Sequence, residues 1–294
     1  MQNTALRTRV ERGLAERMPT AGRARWSELG AGVGGRRFRL EWGDARAFVK
    51  TGEDADLFAA EVDGLAGVAD AACMRVPRVF ASGEAGGEAF IVMEWLPLAP
   101  KSRIAAARLG EALARQHLFP APGFGWRRDN FIGATPQFNA PSDDWIGFFR
   151  ERRLLFQLRL AAENGYRGAL QEMGAQLAEA LPRFFTGYAP RPALLHGDLW
   201  GGNWGVLEDG VPVVFDPAVY RGDREAELAM TELFGGFGAE FHAAYRLHAP
   251  LDAGYAARRG VYQLYHVLNH LNLFGEAYLG QAQDLVERLL AEQR

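Results

Sequence analysis

The segment Leu194-Leu195-His196-Gly197-Asp198-Leu199-Trp200-Gly201-Gly202-Asn203 constrains the fold of this chain more than any other. Two apolar residues enter it like the end of a strand. An acid, two glycines and an amide then fall in a stretch that reads as a tight loop. A second strand-like run, Val211-Pro212-Val213-Val214-Phe215, ends on Asp216-Pro217. Asp198, Asn203 and Asp216 are therefore the candidate set for a phosphoryl-transfer site. Alone, Asp198 also admits the reading of a turn-capping acid. The amide five residues later and the acid thirteen beyond that favour a site.

The 294 residues suffice for a large core, divided between two subdomains or lobes. With 48% apolar residues the chain is expected to be globular rather than disordered. Its 33 basic and 36 acidic side chains leave no positive excess of the kind nucleic-acid surfaces carry. Cys73 is the only cysteine, so intramolecular disulfides are impossible and a reducing, cytoplasmic setting is expected. It reads as a small buried hydrophobe. No apolar run has the length of a membrane span or the form of a signal peptide.

Residues 4–18 place Leu6, Val10, Leu14 and Met18 at helical spacing before Pro19. After Gly30-Ala-Gly32-Val-Gly34-Gly35 come an alternating strand, Phe38 to Trp42, a turn at Gly43-Asp44, and a strand ending at Lys50. Glycines between paired strands let a backbone approach phosphates closely, although a plain hairpin has the same pattern. The Gly-Lys-Ser/Thr ending of a P-loop is missing. Leu57, Phe58, Glu61, Val62 and Leu65 follow at helical spacing, with Glu61 beside the apolar face. Lys50 alone would read as a surface charge. A strand lysine followed by a helix glutamate is also the pair that holds the α- and β-phosphates in protein kinases.

Val76 to Gly83 reads as extended and Ala89 to Met93 as a buried strand, leading to Glu94-Trp95-Leu96-Pro97. In a two-lobed kinase this is the crossing between lobes. Met93, Glu94, Trp95 and Leu96 would then meet the adenine edge, and the boundary falls at residue 97. Residues 119–145 form a long loop rich in Pro, Gly, Asn and aromatics, the kind that is usually functional or disordered; its aromatics argue against disorder. Helical patterns follow over 145–160 and 168–181. Further helices are expected from Arg221, over Val261 to Phe274, and from about 281 to 292. His117 reads as a helix-end or core histidine. His266 and His270 are spaced to chelate a metal on one helix face, but without acidic or Cys partners core or substrate-cleft packing is the better reading.

These residues carry a family resemblance. The chain resembles the fructosamine/ketosamine-3-kinases, whose fold is similar to aminoglycoside phosphotransferases and more distantly to protein kinases. The matching stretches are His196 to Asn203, Phe215-Asp-Pro-Ala-Val-Tyr220, Glu225 to Thr231 with Leu233-Phe-Gly-Gly-Phe237, Asp129-Asn-Phe-Ile-Gly133 with Thr135-Pro-Gln137, and Tyr262 to Gly275. The resemblance implies an α+β, two-lobed protein-kinase-like fold. A smaller N-terminal lobe with an antiparallel sheet (1–97) would bind nucleotide, and a larger, mainly helical lobe (98–294) would carry catalysis and substrate.

The resemblance further implies ATP-dependent phosphorylation of the C3 hydroxyl of ketosamines, on protein or amino-acid amines, and hence deglycation. Asp198 would be the catalytic acid-base residue. Asn203 and Asp216 would hold Mg²⁺. Gly32, Gly34, Gly35, Lys50 and Glu61 would serve the phosphates. His196 is expected to orient the loop. Asp223 and Glu225 are candidates to hold the substrate amine, or simply acids that cap a helix. Trp200, Phe131 and Tyr262 are candidate cleft aromatics, with core packing as the alternative for each. The chain departs from the family pattern at Asp223 (usually His), at Glu227 (usually Asp) and after Asn139, where Ala140-Pro141 replaces the usual approach to a tryptophan. Alternatives are a small-molecule kinase of the aminoglycoside or choline type, or a non-catalytic nucleotide-binding pseudokinase. Neither nucleic acid nor membrane is an expected partner, and monomer and homodimer are both open.

Overall fold

A computed structural model describes residues 3–292 of the chain. Its N-terminal part is a sheet made from β1 (Arg25–Gly32), β2 (Gly35–Trp42), β3 (Ala45–Gly52), β4 (Val79–Ala85) and β5 (Glu88–Glu94). All neighbours pair antiparallel, in the order β1-β2-β3-β5-β4. Side chains alternate across a pleated strand, so Phe38, Leu40, Ala47, Val49, Phe90 and Val92 gather on one face. There α1 (Thr4–Ala15) covers them with Leu6, Val10 and Leu14. The four-residue spacing that marks this helix in the sequence puts the three on a single stripe. The opposite face presents Lys50, Ile91 and Met93 toward α2 (Ala55–Asp70), which Asp54 caps by accepting from the Leu57 N–H.

β6 (Leu98–Ala99) leaves this sheet and joins β10 (Trp204–Leu207), which also pairs with β11 (Pro212–Val214). From α3 (Arg103–Leu118) onward the chain is mainly helical. A small hairpin, β7 (Asn130–Ile132) and β8 (Thr135–Gln137), precedes α4 (Trp145–Phe149), α5 (Leu155–Glu163) and α6 (Ala169–Ala180). β9 (Pro192–Leu195) pairs antiparallel with β12 (Tyr220–Asp223). The chain ends in α7 (Arg224–Leu233), α8 (Ala239–His248), α9 (Tyr255–Phe274) and α10 (Leu279–Ala291). One apolar core is continuous from Phe58 of α2 to Leu289 of α10. The sheet part and the helical part therefore share buried surface instead of closing separately.

Several local expectations change. The helix expected from Arg221 begins at Arg224, because Asp223 ends β12 and caps α7, its Oδ1 accepting from the Glu225 N–H. The long loop over 119–145 is ordered around the β7–β8 hairpin. The helical run from Trp145 is broken by a π-turn at Arg150–Leu154. The α-helix expected over 168–181 ends at Ala180, and Pro182 sits in the first turn of a 3₁₀ segment, Leu181–Phe185, where its missing N–H would have had no partner. Cys73 is half-buried, not fully buried. Among the described residues no helix is long and apolar enough to cross a membrane.

Candidate active site

The loop after β9 is fixed from several sides. His196 is fully buried, and its Nε2 lies 3.0 Å from the Phe215 carbonyl oxygen. A carbonyl only accepts, so Nε2 carries the proton and Nδ1 is free to accept from the Asp198 N–H. Burial pushes this imidazole down, in keeping with a neutral ring. The Ala218 N–H donates to the His196 carbonyl at 2.8 Å, which lays residues 196–198 against 215–218. Gly197 makes that approach possible. Its φ is +84°, and a Cβ there would stand 1.9 Å from the Ala218 carbonyl oxygen. The expectation that His196 orients the loop agrees with this geometry.

The loop then delivers its acid and amide together. Asn203 Nδ2 donates to the Asp198 carbonyl at 2.8 Å and to Asp198 Oδ2 at 3.1 Å. The Phe215 N–H donates to the Asn203 carbonyl at 3.1 Å, which brings Asp216 alongside. Asp216 adopts φ +56°, a left-handed conformation uncommon outside glycine and costly enough to persist only where the surroundings impose it. Burial and the neighbouring charge of Asp216 push Asp198 up to about 8, against the hydrogen bond from Asn203.

Lys50 approaches from the sheet. Its Nζ lies 2.7 Å from Glu61 Oε1 of α2 and 2.6 Å from Asp216 Oδ1. Burial alone would lower its ammonium, but the two carboxylates hold it raised and charged. Asp216 shows the converse: against burial, Lys50 and then Arg37 keep it below the usual carboxylate range. Lys50, Glu61, Asp198, Asn203 and Asp216 all line a single cleft of about 200 Å³.

The oxygen donors Asn203 and Asp216 fit a hard divalent ion. Asp216 Oδ2 and Asn203 Oδ1 take no hydrogen bond among the described residues. No group of three or more His, Cys, Asp or Glu suited to a metal occurs among those residues. Two donors fit Mg²⁺ better than a fully protein-caged ion, since Mg²⁺ completes its shell with phosphate oxygens and water.

Behind the loop stands a residue noticed in the sequence only as a departure. Glu227 of α7 accepts from the His196 N–H at 3.0 Å and the Gly197 N–H at 2.7 Å, and lies 3.0 Å from His117 Nε2. Burial would raise its carboxyl, but the contact with His117 and the His196 backbone N–H hold it low. His117 is thus a buried partner of Glu227, also bonded to the Tyr245 hydroxyl. A second support comes from the hairpin. Asn130 Nδ2 donates to the Val219 carbonyl at 2.6 Å and Gln137 Nε2 to the Ala218 carbonyl at 3.1 Å, tying down the segment between Asp216 and β12.

Of the candidate aromatics, Phe131 and Trp200 line the cleft. Tyr262 does not: it is buried, accepting from Trp145 Nε1 and donating to Asp223 Oδ2. Asp223 and Glu225 are corrected as well. Both are fully buried away from the cleft lining. Asp223 accepts from Tyr188, Tyr262 and the Glu225 N–H, and Glu225 forms a two-pronged ion pair with Arg258 at 2.6 and 3.1 Å. Such charges are buried because they are partnered, not because they await a ligand. Burial pushes the Asp223 carboxyl up even so.

Gly32, Gly34 and Gly35 form the β1–β2 turn at the rim, with Val33 between them facing the cleft. A Cβ on Gly35, at φ +141°, would collide with the Thr51 carbonyl at 2.0 Å, so this glycine lets β2 close on β3. Met93 and Glu94 end β5, Trp95 and Leu96 follow it, and none of the four lines the cavity. The Glu94 carboxylate is taken by Arg75 and Arg78. Missing from the sequence candidates were Arg37 and the α9 residues Asn269, Leu273 and Phe274, which also form the walls. His270 belongs to the cleft and His266 to the core, as the packing reading of that pair requires.

Residues 11–292 match the family model described as fructosamine kinase. A Synechocystis protein named a probable ketoamine kinase is 42% identical over 251 residues, 84% of each chain. The chloroplastic protein-ribulosamine 3-kinase of Arabidopsis thaliana is 40% identical over 83% of this chain and 76% of its own. A crystal structure from Thermobifida fusca, provisionally named a fructosamine-3-kinase, superposes with a TM-score of 0.86 at 34% identity, covering 97% of this chain and 98% of that one. An aminoglycoside phosphotransferase superposes at 0.62 with 18% identity, which extends the likeness of fold alone.

Proposed function

The chain belongs to the fructosamine kinase family, and from that premise we propose that it transfers the γ-phosphoryl group of ATP to the C3 hydroxyl of a ketosamine. The acceptor is a fructosamine or ribulosamine adduct of a protein or amino-acid amine, so the activity serves deglycation. The observation that carries this reading is the convergence of Lys50, Asp216, Asn203 and Asp198 in one cleft.

Residues 1–97 act as the nucleotide lobe and 98–294 as the catalytic and substrate lobe. Lys50, oriented by Glu61, holds the α- and β-phosphates. Asn203 and Asp216 would hold Mg²⁺, whose charge offsets that of the phosphates. Asp198 orients the acceptor hydroxyl and takes its proton. The turn Gly32–Gly35 covers the phosphates, and backbone groups of residues 93–96 meet the adenine edge. Phe131 and Trp200 supply apolar surface for the sugar adduct. The lone Cys73 supports a reducing, cytoplasmic setting.

The test is ATP- and Mg²⁺-dependent phosphorylation of ribulosyl-lysine and fructosyl-lysine by the purified protein. Turnover should disappear in Asp198→Asn while Mg·ATP still binds. Inactivity of the unaltered protein on both adducts, with turnover of another alcohol, would discard the substrate and keep the kinase.

A further inference from the structure

The geometry points to Arg37 as a second cation for the nucleotide's phosphates, acting beside Lys50. This rests on the kinase reading above and adds a binding residue to it.

Arg37 of β2 lies directly opposite Lys50 of β3 in the antiparallel ladder. Residues directly opposite in such a pair project from the same face of the sheet. Both side chains accordingly line the cleft. The Arg37 guanidinium lies tight against the β1–β2 turn: a Cβ on Gly32 would stand 2.3 Å from its Nη2. The turn that would cover a phosphate chain thus has a guanidinium packed on its backbone.

Charge makes the placement informative. Like charges directly opposite each other weaken a sheet. The Lys50 ammonium is already offset by Glu61 and Asp216. Neighbouring arginines on the same strand also have carboxylates, Arg36 with Glu28 and Arg39 near Glu41. Arg37 has no ion-pair partner among the described residues. A half-buried cation at the cleft wall, facing a second cation and with no carboxylate in ion-pair contact among the described residues, is arranged for an anion from outside. A triphosphate supplies it, and a planar guanidinium can take two of its oxygens at once.

The experiment is equilibrium binding of Mg·ATP and of adenosine to the unaltered protein, Arg37→Met, Arg37→Lys and Arg36→Met. Arg37→Met should weaken Mg·ATP by about 10-fold or more, the loss of a charge-assisted contact, and leave adenosine affinity unchanged. Arg37→Lys should recover part of the loss, and Arg36→Met should match the unaltered protein. Unchanged Mg·ATP affinity in Arg37→Met, or an equal loss for adenosine, overturns the assignment. Binding of Mg·ATP with the expected Arg37 dependence but no ketosamine turnover discards the substrate reading and keeps Arg37. An unaltered protein that binds no Mg·ATP overturns both.

Discussion

Lys50 Nζ stands 2.6 Å from Asp216 Oδ1, a bond that ties the five-stranded sheet to the loop after β11 across the cleft. The same ammonium stands 2.7 Å from Glu61 Oε1. A metal ion on Asp216 Oδ2 would draw on the carboxylate charge that this lysine already shares, and the phosphates have to compete with Asp216 for the lysine. Asp216→Asn separates the two contests. Without Mg²⁺, ATP affinity should hold or rise, because Lys50 is released toward the phosphates. With Mg²⁺, turnover should fall by on the order of 100-fold or more, the usual scale for losing a charge-stabilising group. Nucleotide binding with EDTA and with Mg²⁺, followed by steady-state kinetics, reads both. Equal weakening of ATP in the two conditions would remove the competition.

Glu227 is expected to act on rate through the loop it holds. Glu227→Gln replaces one accepting oxygen with an NH₂ group that must face the His196 or Gly197 N–H. One buried N–H is then left without an acceptor, at about 1–3 kcal/mol of stability. The displaced loop carries Asp198, and small displacements of a reacting group cost up to about 100-fold in rate. The expected result is a lower melting temperature and a lower kcat with the KM for ATP nearly unchanged. A variant that loses stability with full kcat would make Glu227 a core residue only.

The parts of the site legible in the sequence were those carried by local spacing. Asp198 and Asn203 share one loop, Asp216 ends the next strand pair, and Lys50 and Glu61 sit on a strand and the helix after it. Arg37 was not legible. Which of Arg36, Arg37 and Arg39 faces the cleft depends on the β2–β3 register, and the β1–β2 pairing slips between Glu28 and Gly30. Nor was Asn269, since a mostly apolar helix does not announce which face a distant lobe leaves uncovered. Asp223 and Glu225 failed in the opposite direction. A charged helix start reads as solvent-facing until Arg258, Tyr188 and Tyr262 arrive from elsewhere in the chain.

That reversal can be measured. Glu225→Ala leaves Arg258 buried with Asp252 as its remaining carboxylate. Breaking a buried pair from one side costs roughly 3–5 kcal/mol. The expected effect is therefore on denaturation midpoint, with the KM for the ketosamine unchanged in the protein that remains folded. A raised KM at unaltered stability would return Glu225 to the substrate.

His266 sets an acid limit on stability. It is 3% exposed on α9, and its Nδ1 has no hydrogen-bond partner among the described residues. Burial first, then the charges of His270 and Arg153, push its imidazole down to about 3 from an ordinary 6.5. Between those values the unfolded chain binds a proton that the folded one refuses. Stability is therefore full above pH 6.5 and is lost as pH falls toward 3, with a limiting slope of about 1.4 kcal/mol per pH unit. Replacing the ring by one that cannot titrate removes this contribution and the unpaired nitrogen together. His266→Phe should match or exceed the unaltered protein at neutral pH and fall away less steeply on acidification. Urea midpoints at several pH values between neutrality and pH 4 test this directly. Parallel curves for the two proteins would mean that His266 takes up its proton in the folded state as readily as in the unfolded one.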